Sequence, residues 1–180
     1  LGISLKEMGR LDEAEASYKK AIALNPKLAG FHSNLGNALQ ELGRMDEALA
    51  SYAQAIALKP DFAEAYLNFG IAIKNVRFTS SNRNLYTPLT QLLIADNFTR
   101  PQDVAPSILS LLKHDTQIKD LLLEKNSALS LDDATSIIES LDKLPLLHHL
   151  MRVCRLPDLQ FEELFVVIRN SLLKNLDKME

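Results

Sequence analysis

Four histidines and one cysteine are the residues of this chain best suited to bind a metal or act as nucleophiles. His148 and His149 are adjacent, and neighbours on a helix point about 100° apart, so their rings do not easily chelate one ion. The sequence has neither an H-E-x-x-H nor a C-x-x-C motif. Cys154 follows His148 by six residues, which places the two on different faces of a helix. We therefore predict no metal site and no Cys–His nucleophile pair, and Cys154 is interpreted as a small buried residue.

Two pairs of adjacent carboxylates, Asp132–Asp133 and Glu162–Glu163, are the candidates for acid–base catalysis. Both pairs fall at the start of a predicted helix, where the helix dipole favours negative charge. Three arginines, Arg152, Arg155 and Arg169, could form a basic spot, but in a chain of balanced charge such side chains are usually solvated. No catalytic residue is predicted from these patterns.

The six glycines all lie in the first 70 residues, and none follows Gly70. A nucleotide-binding loop needs glycine where backbone N–H groups approach a phosphate closely. No such loop can be written for residues 71–180, and the earlier glycines stand at the spacing of a repeat rather than in G-x-G-x-x-G. The sequence therefore predicts no nucleotide site and no bound cofactor.

The composition of the 180 residues is that of a folded globular chain, with 47% apolar and 24% charged residues. The net charge of −3 is shared between residues 1–75 and the remainder, so neither part favours nucleic acid or an anionic membrane surface. No apolar run approaches the roughly 18 residues that span a bilayer. A single cysteine fits a reducing compartment, and we predict a cytoplasmic location. Because the chain opens with Leu1 and shows no signal-peptide pattern, we expect it to be a fragment.

The elements that would position any functional residue are organised by a repeat with a period of 34 residues. A shift by 34 superposes identical residues at 17 of the first 28 positions, and a third copy starts in register and ends after Asn75. The identical pairs include Leu1 and Leu35, Gly2 and Gly36, Gly9 and Gly43, Ala14 and Ala48, Tyr18 and Tyr52, and Pro26 and Pro60.

Each of these repeat positions has a physical role in a pair of helices. The first glycine, Gly2, Gly36 or Gly70, and the alanine at Ala14 or Ala48 are small residues that let two helices approach closely. The tyrosine is predicted to fill the space between successive hairpins. The second glycine suits the tight turn between the helices, and the proline ends the second helix. Apolar residues between these points recur at helical spacing, so the repeat predicts stacked helix–turn–helix pairs.

The pattern L-G-x-x-L…G-x-x-x-E-A…Y…A…P resembles the tetratricopeptide repeat (TPR). The resemblance covers residues 1–75, about two and a quarter repeats. It implies a right-handed stack of helix pairs with a concave groove that is lined by the first helix of each pair. It also implies that the groove binds a protein or peptide.

The register of the implied groove places Asn34 and Asn68 at equivalent positions, and residues 34, 37 and 41 on one helix face. That face is polar and uncharged at its centre, which suits hydrogen bonding to a peptide backbone. The alternative is that the asparagines merely solvate a helix surface. The predicted peptide-binding residues are Ser33, Asn34, Asn37, Glu41, Asn68, Ile71 and Asn75.

Two known kinds of TPR groove offer a comparison. Asn34 and Asn68 match the groove asparagine that recurs in O-linked N-acetylglucosamine transferases. The carboxylate clamp of chaperone-binding TPR domains is a poorer match, because it needs two lysines and an arginine around its asparagines. Ser33, Glu64 and Asn68 occupy the comparable places here, so the resemblance does not imply clamp binding of an acidic C-terminus.

After Asn75 the third repeat does not continue, and residues 79–84 are predicted to form a loop. A helix over 85–96 is predicted to replace the missing helix and to cap the solenoid. A further helix is predicted to start at Pro101, and Pro106 is predicted to limit how far the helix over 107–114 extends upstream. Three more helices are predicted, over 117–125, from Ser130 and over 158–178. The predicted fold class is all-α, a TPR solenoid at residues 1–75, a loop at 76–84 and a helical capping and regulatory domain at 85–180.

The segment beginning Leu144-Pro-Leu-Leu-His-His-Leu-Met, together with the one beginning Pro157-Asp-Leu-Gln-Phe, is similar to the helical segment that precedes the catalytic domain of bacterial TPR-linked methyltransferases. The methyltransferase's own glycine-rich motif is absent from the sequence, so no catalytic residue is carried over.

The favoured prediction is a protein- or peptide-binding TPR module with no catalytic site in these residues. The first alternative is the substrate-recruiting or regulatory part of a larger transferase, an S-adenosylmethionine-dependent methyltransferase or, after it, a glycosyltransferase. In that reading a catalytic domain follows Glu180. The second alternative is an assembly scaffold that forms homo-oligomers.

Overall fold

The computed structural model describes residues 1–95, 98–124, 144–153, 161–163 and 166. Regular secondary structure in these residues is helical, without a strand, which confirms the all-α class. The predicted helix start at Ser130 and most of the predicted helix over 158–178 lie outside these ranges. The helices are α1 (Gly2–Glu7), α2 (Leu11–Leu24), α3 (Ala29–Glu41), α4 (Met45–Leu58), α5 (Ala63–Ile73), α6 (Tyr86–Ile94), α7 (Pro101–Leu112), α8 (Thr116–Glu124) and α9 (Pro145–Val153), with a 3-10 turn at Arg83–Leu85 before α6.

Two compact units make up the chain. The first, the repeat unit, contains residues 1–76 and 83–100, and the second contains residues 77–82 and 101–180. Helix α6 and residues 98–100 therefore group with the repeats, whereas the sequence predicts that the second domain begins at residue 85. The physical reason is that α6 packs against α4 of the second repeat.

Helices α1 and α2, and α3 and α4, form two hairpins with the same turn. Gly9 and Gly43 occupy these turns with φ of +73° and +75°, a backbone conformation that side chains with a Cβ rarely adopt. In both turns the glycine N–H donates to a carbonyl three residues earlier, Lys6 in the first and Gln40 in the second, at 2.9 and 3.0 Å. The second helices end at Leu24 and Leu58, two residues before the prolines. The predicted turn glycines and helix stops are confirmed.

Within each hairpin a glycine on the first helix faces a tyrosine ring on the second. A Cβ atom on Gly2 would lie 2.6 Å from Tyr18 Cε1, and a Cβ on Gly36 would lie 2.6 Å from Tyr52 Cε1. Both rings are buried, and Ala14 and Ala48 have no exposed surface. The close approach predicted for the small residues is confirmed. Each tyrosine ring lies against the glycine of its own hairpin, and the place between successive hairpins that the sequence predicts for it stays a prediction.

The third repeat contributes only its first helix, α5. A Cβ on Gly70 would lie 3.3 Å from Thr99 Cβ and 3.7 Å from Leu92 Cδ1, so α6 and residue 99 lie where a second helix would otherwise stand. The ring of Tyr66 stacks on Phe98, with ring centroids 5.3 Å apart. Leu89, Leu92 and Leu93 of α6 are buried, which confirms the helix predicted over 85–96 within the described part of that range.

The described helices of the second unit are α7, α8 and α9. Helix α7 begins at Pro101 as predicted, but it continues through Pro106, which the sequence analysis treats as an upstream limit. Pro106 lies on the exposed side of the helix and in its second turn. Only one backbone hydrogen bond is forfeited there, and the freed carbonyl is on the side open to water. Helix α9 packs on α7, and its leucines Leu146, Leu147 and Leu150 are buried.

Candidate functional site

The first helices α1, α3 and α5 carry every residue that the sequence predicts to contact a partner, except Asn75, which follows α5. Each of these helices packs against a second helix, and α3 also contacts α5. We use the term first-helix face for the exposed side of α1, α3 and α5.

Asn34 and Asn68 lie at equivalent positions on α3 and α5, and both are half-buried. Within the described residues, neither side-chain amide has a hydrogen-bond partner. An asparagine amide offers two donors and an acceptor, so both side chains retain their hydrogen-bonding capacity for a ligand. Next to Asn68 on α5, Leu67 and Ile71 are 46% and 58% exposed. Of these two apolar residues, the sequence analysis selected only Ile71.

The side chain of Asn37 makes a hydrogen bond inside the repeat unit. Its Oδ1 lies 2.7 Å from the hydroxyl oxygen of Tyr52, and Gln40 Oε1 lies 2.9 Å from the same hydroxyl. The tyrosine has one proton to donate, so the two amides share it. Burial raises the pKa of Tyr52, with the nearby Glu41 and Glu64 carboxylates adding to the effect. Asn37 therefore holds the Tyr52 hydroxyl in the hairpin.

Glu41 and Ser33 differ from the asparagines in accessibility and in partners. Glu41 forms an ion pair with Lys6, with 2.9 Å between Glu41 Oε1 and Lys6 Nζ, and this pair joins α3 to α1. Ser33 is only 1% exposed, and its hydroxyl has no hydrogen-bond partner within the described structure. Asn75 is exposed just after α5. Of the seven predicted residues, Asn34, Asn68, Ile71 and Asn75 are accessible without a competing side-chain contact in the described structure.

The two repeat tyrosines give a matched test of these contacts. Tyr52→Phe is expected to destabilise the chain by about 1–2 kcal/mol, because two amide oxygens lose their shared donor. Tyr18→Phe is expected to be neutral or slightly stabilising, because the buried Tyr18 hydroxyl has no hydrogen-bond partner within the described residues. Urea denaturation followed by circular dichroism measures both values. Equal losses for the two variants would contradict the assignment of Asn37 to a structural role.

A charged cluster away from the first-helix face joins the first two repeats. Glu15 of α2 is mostly buried, and its carboxylate lies 2.7 Å from both Lys19 Nζ and Arg44 Nη1. Hydrogen bonds from Lys19 and then Arg44 lower the pKa of Glu15 against the opposing effect of burial. Arg44 also donates hydrogen bonds from two nitrogens to the carboxylate of Glu47, as Arg10 does to Glu13 one repeat earlier. The sequence analysis did not identify these contacts, although the equivalent spacing of Arg10–Glu13 and Arg44–Glu47 could have indicated them.

The second unit shows no concentration of reactive groups in its described part. His148 is exposed and His149 is half-buried on α9, and the described residues contain no group of three potential metal ligands. Glu162 and Glu163 are exposed in a helical segment. Asp115 is buried, and its Oδ1 accepts the backbone N–H of Gln117 at 2.9 Å, which caps α8. The remaining candidates, Asp132, Asp133, Cys154, Arg155 and Arg169, lie outside the described residues.

The geometry of residues 1–76 defines a class of protein, the helical-hairpin repeat proteins. Two successive hairpins share their turn, their glycine–tyrosine contact and their helix stop, and a third first helix follows in register.

Comparison with known families identifies the repeat. Residues 2–43 and 37–75 match the family model described as TPR repeat. This part of the chain, less than half of its length, is therefore similar to TPR repeats, a kind of repeat that forms protein-interaction modules. No curated protein matches the sequence. Among the helices that the structure describes, none combines the length and the hydropathy required to cross a bilayer.

Proposed function

We propose that the chain binds its protein partner as an extended peptide on the first-helix face, with Asn34 and Asn68 hydrogen-bonded to the peptide backbone. The observation that supports this function is the pair of half-buried amides at one register on neighbouring first helices, both without a partner among the described residues. An amide can donate to a peptide carbonyl and accept from a peptide N–H, so it suits a backbone of any sequence. The exposed side chains of Leu67 and Ile71 supply apolar surface beside Asn68.

The test begins with a peptide selected from a random peptide library displayed on phage for binding to the wild-type chain. We expect the double variant Asn34→Ala, Asn68→Ala to bind that peptide roughly tenfold more weakly, because each lost hydrogen bond contributes about 0.5–1.5 kcal/mol. Isothermal titration calorimetry measures the dissociation constants.

The matched control is Gln54→Ala, which removes an exposed amide from the second helix α4. This variant is expected to bind the selected peptide like the wild type, and the helical signal of both variants is expected to stay unchanged. Wild-type affinity in the double variant, or an equal loss in Gln54→Ala, would refute binding through the asparagines.

A second candidate function keeps the same binding face and assigns it to recruiting the substrate of a larger transferase. The similarity of the segment from Leu144 onwards supports a methyltransferase, and the two asparagines alone support a glycosyltransferase. In the structure, residues Pro145–Val153 of that segment form α9. S-adenosylmethionine binding by the product of the complete gene, measured by calorimetry, tests the methyltransferase, and its absence would count against this candidate. The single cysteine supports a cytoplasmic location for either function.

A further inference from the structure

The hydroxyl groups of Tyr18 and Tyr52 stand at equivalent positions but have different surroundings. The Tyr52 hydroxyl lies between Asn37 and Gln40. One repeat earlier, the residues at those two positions are Ile3 and Lys6, and neither side chain can accept a hydrogen bond. The Tyr18 hydroxyl is buried and has no partner among the described residues. A buried hydroxyl in this state carries a desolvation cost that a suitable acceptor would remove.

An ion pair is formed by Lys6, the residue equivalent to Gln40, whose side chain contacts the hydroxyl of Tyr52. Lys6 Nζ contacts Glu41 Oε1 at 2.9 Å, with the two side chains 28% and 48% exposed. Burial raises the pKa of Tyr18; the charge of Lys6 opposes this effect, and the carboxylates of Glu41 and Glu7 add to it. The Lys6 side chain is less exposed than that of Glu41, which contacts it from the neighbouring first helix.

We propose that Lys6 and Tyr18 form a carboxylate-binding subsite on the first-helix face, which Glu41 occupies until a ligand carboxylate replaces it. The inference rests on the proposed peptide-binding function and adds an acidic group to the chemistry of the peptide. One ligand oxygen takes the place of Glu41 Oε1 on Lys6 Nζ. The other oxygen accepts a hydrogen bond from the Tyr18 hydroxyl, a contact that Glu41 does not make. The exchange therefore conserves one ion pair and gains one charge-assisted hydrogen bond.

The subsite stands apart from the asparagines and from Ser33 and Glu64, because its residues come from α1 and α2. Its ligand has two sources, the side chain of an acidic residue within a peptide or a C-terminal carboxylate. Small probes distinguish them: N-acetylglutamate amide carries only the side-chain carboxylate, and N-acetylalanine carries only the terminal one. N-acetylglutamine amide is the neutral control.

The experiment titrates each probe into the 180-residue chain and follows the backbone amide resonances of α1 and α3 by NMR. We expect saturable shifts with at least one carboxylate probe and none with the neutral control. Glu41→Gln is expected to strengthen binding about two- to fivefold, because the internal competitor loses its charge. Tyr18→Phe is expected to weaken binding about three- to tenfold, and the matched Tyr52→Phe to leave it unchanged.

Failure of the subsite and failure of the proposed function give different results. Absence of saturable shifts in both the wild type and Glu41→Gln would overturn the subsite, as would equal shifts with the neutral probe or equal effects of the two tyrosine variants. Peptide binding that still depends on Asn34 and Asn68 would then leave the proposed function intact. Conversely, carboxylate binding in a chain whose asparagine variants bind peptide normally would support the subsite and refute the backbone contacts.

Discussion

Ile56→Ala is expected to lower the free energy of unfolding by about 3 kcal/mol, whereas Ile22→Ala is expected to cost only about 1 kcal/mol. The two isoleucines occupy the same position of successive repeats, so their local sequence and helix are closely matched. Their burial differs, because Ile56 has no exposed surface and Ile22 is half-buried. Truncation of a fully buried side chain loses its whole transfer free energy and leaves a cavity, while a half-buried site loses less and can refill with water.

Urea denaturation of the wild type and both variants, followed by circular dichroism, measures the two losses. The helical signal before the transition serves as the control, since both variants are expected to keep the native helix content. Equal losses at the two positions would show that the repeats contribute equally to the core, contrary to their observed burial.

The comparison of these isoleucines shows what the repeat can predict and what it cannot. The period of 34 residues predicts which positions face inward, and the small and turn-forming residues behave as their positions require. Gly9 and Gly43 adopt positive φ, and Gly2 and Gly36 approach an aromatic ring. These features depend on contacts within one hairpin, so they recur wherever the hairpin recurs.

Contacts between repeats could not be predicted in the same way, because they depend on which residue the neighbouring element presents. Glu41 lies on the face that the sequence predicts for ligand binding, yet its contact with Lys6 requires that the first helix of the preceding repeat present a lysine at the position equivalent to Gln40. Asn37 has the residue type of a ligand-binding group, but the Tyr52 hydroxyl lies within hydrogen-bond distance. The asparagines at 34 and 68 could be identified from their register alone, since no described side chain competes for them.

The predicted start of the second domain illustrates the same limit. Pattern and length predict a helix in residues 85–96, but they do not say which unit the helix joins. The grouping of α6 with the repeats depends on its contacts with α4, and Gly70 faces Thr99 and Leu92 instead of a tyrosine. A helix that replaces a repeat element without its sequence signature can be located only once the packing is known.

Gly36→Ala is expected to destabilise the repeat unit by about 2 kcal/mol, although alanine is the better helix former. A Cβ atom at this position would lie 2.6 to 2.9 Å from three atoms of the Tyr52 ring. The ring cannot move away freely, because it has no exposed surface and its hydroxyl lies between Asn37 and Gln40. The overpacking cost of roughly 1–3 kcal/mol therefore exceeds the gain in helix propensity, which is about 1 kcal/mol at most.

Gly30→Ala in the same helix provides the matched control. A Cβ on Gly30 meets nothing within 4 Å, so only the conformational effect of the substitution remains. We expect this variant to be more stable than the wild type by a few tenths of a kcal/mol, up to about 0.5 kcal/mol. We therefore expect the same chemical substitution to change the free energy of unfolding in opposite directions at the two positions. Thermal and urea denaturation of the two single variants measure these changes. A stabilising Gly36→Ala would mean that the tyrosine ring yields easily and that the glycine is not required for the close approach of α3 and α4.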